Sequence, residues 1–183
     1  MAQISGSGWE ILVTRGSEQQ RGDRRRTIGS YQVFHDGVPQ TGTGLSGMTA
    51  EARGPGKNSP AENGRRVEQG RYPLWTQDGN KYDTIGYVDS EDPGVKPKPG
   101  IELKETGDRS EILIHPGQGF LAAIGCINLC TSLPNADENI DYAPSRRRVI
   151  AVIEDMKQYL GADFPKANSK SIPRAFAVMH GEP

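Results

Sequence analysis

The stretch Ile112-Leu113-Ile114-His115-Pro116-Gly117-Gln118-Gly119-Phe120-Leu121-Ala122-Ala123-Ile124-Gly125-Cys126-Ile127-Asn128-Leu129-Cys130 holds the densest apolar content of the chain, one of its three histidines and both of its cysteines. Residues 112–115 read as a buried strand, because a short unbroken apolar run bounded by turn residues has both faces covered. Pro116 to Gly119 reads as a turn that sends the chain back, since Pro and Gly supply the φ values that tight turns require. Residues 120–124 then read as the next strand. In that arrangement His115 closes one strand and Cys126 follows a glycine at the end of its neighbour, so core and chemistry coincide.

Outward from this unit the pattern is mainly β. Residues 9–15 and 26–35 are rich in β-formers, and Asp36-Gly37 reads as a hairpin turn into Val38. Further strands are expected over 44–52, 66–76, 81–88 and 100–104, with a C-terminal strand over 175–179; Asp78-Gly79-Asn80 marks a turn between two of them. Residues 53–64 and 89–100 are dense in Gly, Pro, Asn and charge, and read as long surface loops. The one substantial helix is expected over 145–160, capped by Ser145, with apolar residues at Val149, Val152, Ile153, Met156 and Leu160 and a C-terminal stop at Gly161. A short helix after Cys130 is limited by Pro134 and the polar run that follows. The expected fold class is α+β, mainly β: twisted antiparallel sheets with one helix near the C-terminus, in a single domain spanning 1–183.

Composition bounds the function. With 22 basic and 23 acidic side chains the formal charge is -1, which argues against electrostatic capture of nucleic acid. Arg24 to Arg26 and Arg146 to Arg148 are the basic runs, each beside acidic residues, and read as solvated faces. No segment approaches the roughly 18 apolar residues of a membrane span, and the first ten residues lack the apolar core of a signal peptide. Synthesis and initial residence in the cytoplasm are therefore expected. Two cysteines are too few for a disulfide framework.

A thiolate nucleophile needs an exposed sulfur, a nearby imidazole to take its proton and N–H groups aimed at the developing oxyanion. Cys126 and His115 are the candidates for the first two. Gly125 permits a sharp turn that presents the sulfur and exposes the amides of Gly125, Cys126 and Ile127 to a carbonyl substrate. The bland reading makes Cys126 and Cys130 small buried hydrophobes and His115 a satisfied strand-end group. The spacings of Cys126, Cys130, His35, His115 and His180 match no standard zinc pattern, and neither a metal nor another cofactor is expected.

These residues resemble L,D-transpeptidase catalytic domains of the YkuD type, whose motif is a His, a spacer and then Ser/Thr-His-Gly-Cys-hydrophobic-Asn/Arg. Here the match is His115, a spacer and Ile124-Gly125-Cys126-Ile127-Asn128, and upstream Val67-Glu68-Gln69-Gly70-Arg71-Tyr72-Pro73-Leu74 is similar to the family's Thr-Pro-x-Gly-x-Tyr segment. The motif-bearing part is about 67–129. The spacer is shorter than the family's, and Ile124 stands where the family has a second His. Such reduced motifs look similar to the small peptidoglycan-targeting versions in phage proteins and type VI secretion effectors. The resemblance implies Cys126 as nucleophile, His115 as base and then acid, the Pro116 carbonyl as the orienting third member, and Asn128 as a positioning residue. It implies a diaminopimelate–D-alanine bond in peptidoglycan stem peptides as the target, with L,D-carboxypeptidase, transpeptidase or D-amino-acid exchange as outcomes. A secretion-system carrier, a cognate immunity protein and action in the periplasm of a target cell complete that expectation.

Two rivals remain open from sequence. One pairs Cys126 with His180 as a papain-like peptidoglycan amidase. The other is a non-catalytic β module of a phage or secretion particle. Arg65 and Arg66 are possible contacts for a stem carboxylate, with solvated charge as the simpler reading; Tyr72 and Tyr87 are possible cleft residues. Trp9 and Trp75 read as packing, and His35 and His180 as surface.

Overall fold

The computed structural model describes residues 3–183. Eleven strands and one α-helix follow in chain order: β1 (Trp9–Arg21), β2 (Arg24–His35), β3 (Val38–Pro39), β4 (Ser46–Ala52), β5 (Gly70–Thr76), β6 (Tyr82–Asp83), β7 (Lys98–Pro99), β8 (Ile101–Leu103), β9 (Ile112–Pro116), β10 (Ile127–Cys130), α1 (Tyr142–Leu160), a short 3₁₀ turn (Gly161–Asp163) and β11 (Ser171–His180). Mainly β with one substantial helix is therefore what the chain forms. The twisted, mainly antiparallel sheets that were expected close into one barrel, in the order β1, β11, β5, β8, β9, β10, β4, β2, with β2 pairing back onto β1. Closure leaves no unpaired edge among these eight strands. Two of its pairs are parallel, β1 with β11 and β9 with β10.

The interior is one apolar cluster. Ile11, Val33, Leu74, Leu103, Ile114 and Ile127 come from six different strands, and Val149, Val152, Ile153 and Met156 of α1 join them. Burying each such side chain stabilises by about 1.5–3 kcal/mol, so the scarce large apolar residues are spent almost wholly on this cluster and the helix that closes it.

Several boundaries differ from the sequence expectation, each for a local reason. Residues 120–124 form no strand: they belong to the crossover between β9 and β10, because parallel neighbours cannot be joined by a tight hairpin. The strand is Ile127–Cys130, one step later. The helix begins at Tyr142, with Asp141 at its N-cap, not at Ser145. Pro144 falls in the first turn, where backbone N–H groups lack partners anyway, so Ser145 lies inside the helix. Gly161 does end it, with φ 56. Of 81–88 only Tyr82–Asp83 is extended, pairing in parallel with Lys98–Pro99 as a separate two-stranded sheet. The short helix expected directly after Cys130 does not form: residues 131–141 are turns and irregular chain. Among the described residues no helix is long and apolar enough to cross a membrane.

The basic runs are not simply solvated. Arg26 is fully buried, donating to Gln19 Oε1, to the Phe120 carbonyl at 2.8 Å and to the Asn135 carbonyl, with the Phe120 ring 4.5 Å from its guanidinium carbon. Arg146 is buried as well and donates to the Val88 carbonyl. A second buried network at one end of the barrel joins Arg15 to Glu51 through two bonds of 2.8 and 2.9 Å, and Arg66 to Glu182 and Glu18. Burying a guanidinium is costly unless it is paired in this way.

Candidate active site

The site is built on the parallel pair β9–β10. Their register sets Ile127 against Ile114 and Asn128 against His115. Side chains alternate between faces, so Ile114, Ile127 and Leu129 point into the core while His115, Asn128 and Cys126 share the outer face. Cys126 precedes β10 by one residue. Its sulfur accepts the Leu113 N–H at 3.3 Å and lies 3.6 Å from the Glu111 carbonyl. His115 on β9 and Cys126 just before β10 are thus diagonal neighbours in this parallel register.

His115 is buried, and its Nδ1 lies 2.8 Å from the carbonyl oxygen of Pro116. A carbonyl only accepts, so the proton sits on Nδ1 and the lone pair on Nε2. Burial, with smaller contributions from Lys81 and Lys98, pushes the imidazole down to about 4. It is neutral at pH 7. Burial also pushes the Cys126 thiol up, against the Leu113 N–H, Arg109 and Lys81, which lower it. The resting pair is therefore thiol and neutral imidazole rather than the thiolate and imidazolium that an isolated Cys–His pair suggests.

Tyr82 of the small sheet covers His115, its ring centroid 4.3 Å from the imidazole's at an interplanar angle of 35°. Burial, and to a lesser extent the neighbouring Cys126, push its phenol up to about 12. Asn128 braces the crossover: its Oδ1 accepts the Ala122 N–H at 3.1 Å and its Nδ2 faces the His115 carbonyl at 3.4 Å. Beyond it, Ser145 donates to the Leu129 carbonyl and accepts the Gly117 N–H at 2.8 Å, fixing α1 to the ends of both strands. A Cβ on Gly117 would press on the Asn128 side chain, so the glycine is required there.

Gly125 has φ +99, a conformation that L side chains rarely adopt, and any Cβ at this position would run into the Arg109 guanidinium. The turn before Cys126 thus needs glycine for two reasons. Ile124 is 76% exposed beside this turn.

The chain was compared with protein-family models, with curated proteins and with solved structures. None of the three gives a match.

His180, the imidazole of the papain-like alternative, lies at the end of β11, with β5 and β8 between that strand and β9. Cys126 moreover precedes a strand, not a helix. The barrel does not bring those two residues together. Arg66 is fully buried on Glu18, Glu182 and Thr27, and is not available to a stem peptide. Tyr72 is buried on Glu68 and Asn58, and Tyr87 packs at the core beside Glu154. Trp9 is core, and Trp75 is half-buried near Lys104. His35 is half-buried, its Nε2 2.7 Å from Asp155. Sequence reasoning passed over Tyr82, Arg109 and Ser145 as site residues. Tyr82 falls in the run 81–88, which reads as a strand with no signal of a site, Arg109 sits in charged loop sequence with no periodic signal, and Ser145 reads as a cap.

Proposed function

We propose that the protein is a cysteine-dependent acyl-transfer enzyme of the L,D-transpeptidase type, attacking the diaminopimelate–D-alanine bond of peptidoglycan stem peptides. The observation that carries this reading is the shared outer face of β9 and β10. It holds an approachable thiol and a neutral imidazole whose Nδ1–H is committed to the Pro116 carbonyl. A base so oriented has Nε2 free to accept.

As the sulfur attacks the scissile carbonyl, its proton passes to Nε2 of His115. The tetrahedral oxyanion is met by amides of the 125–127 turn. Collapse breaks the C–N bond, and the imidazolium gives its proton to the departing D-alanine amine, leaving a thioester on Cys126. Attack by water then yields the shortened stem, and attack by an amine yields a cross-link or an exchanged D-amino acid, with His115 again taking the incoming proton. The proposal extends to delivery: an antibacterial effector carried by a secretion system, acting in a target cell's periplasm and neutralised by an immunity protein. Its support is the motif at His115 and Cys126.

Incubation with tetrapeptide and pentapeptide muropeptides followed by mass spectrometry tests the chemistry. Loss or exchange of one D-alanine by the wild type, and its reduction by about a thousandfold or more in Cys126→Ala, is the expected result. No mass change with any stem favours the non-catalytic β module, and equal turnover by the variant removes Cys126 from the chemistry.

A further inference from the structure

Five arginines are buried: Arg15, Arg26, Arg66, Arg109 and Arg146. Arg15 and Arg66 are paired with carboxylates, Arg146 reaches Asp89 at 3.5 Å, and Arg26 lies against the Phe120 ring. Arg109 is 7% exposed and has neither an acid nor a ring as partner among the described residues. Its Nη1 donates to the carbonyls of Lys57 at 3.0 Å and Arg65 at 2.8 Å, and its Nη2 to the carbonyl of Ile124 at 3.2 Å. A guanidinium has five N–H donors, and these three bonds leave the rest of the fork uncommitted.

A buried charge without a counterion is unfavourable, and burial accordingly pushes this guanidinium's pKa down, with the Cys126 sulfur as the chief opposing influence. The position is specific. The three carbonyls tie the ends of the 53–66 loop to the residue two before the nucleophile, and Gly125 is without a Cβ where the guanidinium lies against the turn. The result is a cation fixed by backbone carbonyls against the turn that precedes Cys126, with no acidic side chain paired to it among the described residues.

We infer that Arg109 is the specificity-determining residue for a free carboxylate on the leaving side of the scissile bond, so that the site takes peptides ending one residue beyond the attacked carbonyl. A terminal D-amino acid places its carboxylate a few bonds from the scissile carbonyl carbon, matching a cation lodged against Gly125. A planar guanidinium grips a carboxylate through paired N–H bonds, which a carboxamide cannot reproduce. The inference rests on the acyl-transfer reading of Cys126.

The test compares one tetrapeptide stem ending in D-alanine with the same stem ending in D-alaninamide, measuring release of each leaving group for the wild type, Arg109→Lys and Arg109→Met. Wild type is expected to prefer the carboxylate by about a hundredfold in kcat/KM. Arg109→Met should bring that ratio to within about threefold, chiefly by raising KM for the carboxylate, and Arg109→Lys should fall between. A wild type that turns over both stems equally well overturns the inference without any variant, and so does an Arg109→Met enzyme that keeps the full preference. A wild type that turns over neither stem sinks the acyl-transfer reading and the inference with it.

Discussion

Cys126 and Cys130 stand four residues apart, one just before β10 and the other at its end, and point to the same side of the barrel wall, yet they occupy different chemical worlds. Cys130 is buried among Ala50, Leu133 and Ile140, a small apolar cluster outside the main core, and burial pushes its thiol up to about 12. Cys126 is half-buried at the strand's head, where the Leu113 N–H, Arg109 and Lys81 oppose the effect of burial. What separates them is the backbone: Cys130 has strand β4 paired beside it, whereas Cys126 follows a glycine turn at which the ladder has not yet begun. Burial and backbone, not residue type, set the two thiols apart.

The contrast breaks most sharply under alkylation. In the folded protein iodoacetamide should label Cys126 at least about a thousandfold faster than Cys130, which must wait for local opening. Because the Cys126 thiol lies above its ordinary pKa and His115 is neutral, its rate should keep climbing with pH past 9, about tenfold per unit below the pKa. Peptide mapping after timed labelling reads both. A plateau near neutral pH would reveal a preformed thiolate and overturn the neutral pair; equal labelling would erase the difference between the two ends of β10.

How far this was legible in the sequence differs between the same two ends. His115, Gly125 and Cys126 were visible because their residue types and order are chemically constrained: a glycine before a cysteine leaves few conformations open. The strand register was not visible. The apolar run 120–124 has the composition of a strand, but a crossover between parallel neighbours needs chain length more than composition, and only the pairing of β9 with β10 shows which run is which. Barrel closure escaped for the same reason, since it depends on β1 pairing on both sides, with β2 and β11, across nearly the whole chain. Tyr82 and Arg109 reach the site by long-range packing, and Arg26 is buried by Phe120, 94 positions away; composition gives no hint of either.

His115 sharpens the contrast through its proton. Its pKa is about 4 folded against 6.5 as the ordinary value. Between these two pH values the unfolded chain binds the proton that the folded one refuses, so stability present above pH 6.5 is lost as pH falls towards 4, to a total of about 3 kcal/mol. His115→Gln cannot take up that proton. Urea midpoints at pH 7 and pH 4.5 should therefore show the wild type losing about 2 kcal/mol more than the variant over this interval. Equal losses would mean that the imidazole is not buried neutral, and the general-base geometry at Nε2 would fall with it.

The smallest effect separates the cysteines by what a hydroxyl finds in their places. Serine at 130 would bury an O–H among Ala50, Leu133 and Ile140, and an unpaired buried hydroxyl costs about 1–3 kcal/mol. Serine at 126 inherits a donor and an acceptor already aimed at the sulfur, the Leu113 N–H and the Glu111 carbonyl, so its stability should stay within about 0.5 kcal/mol of wild type. Urea denaturation of Cys126→Ser and Cys130→Ser measures the gap directly. A loss at 126 as large as that at 130 would show that the head of β10 is packed like its tail. Cys126 would then be a core thiol with a histidine near it rather than a nucleophile with a base.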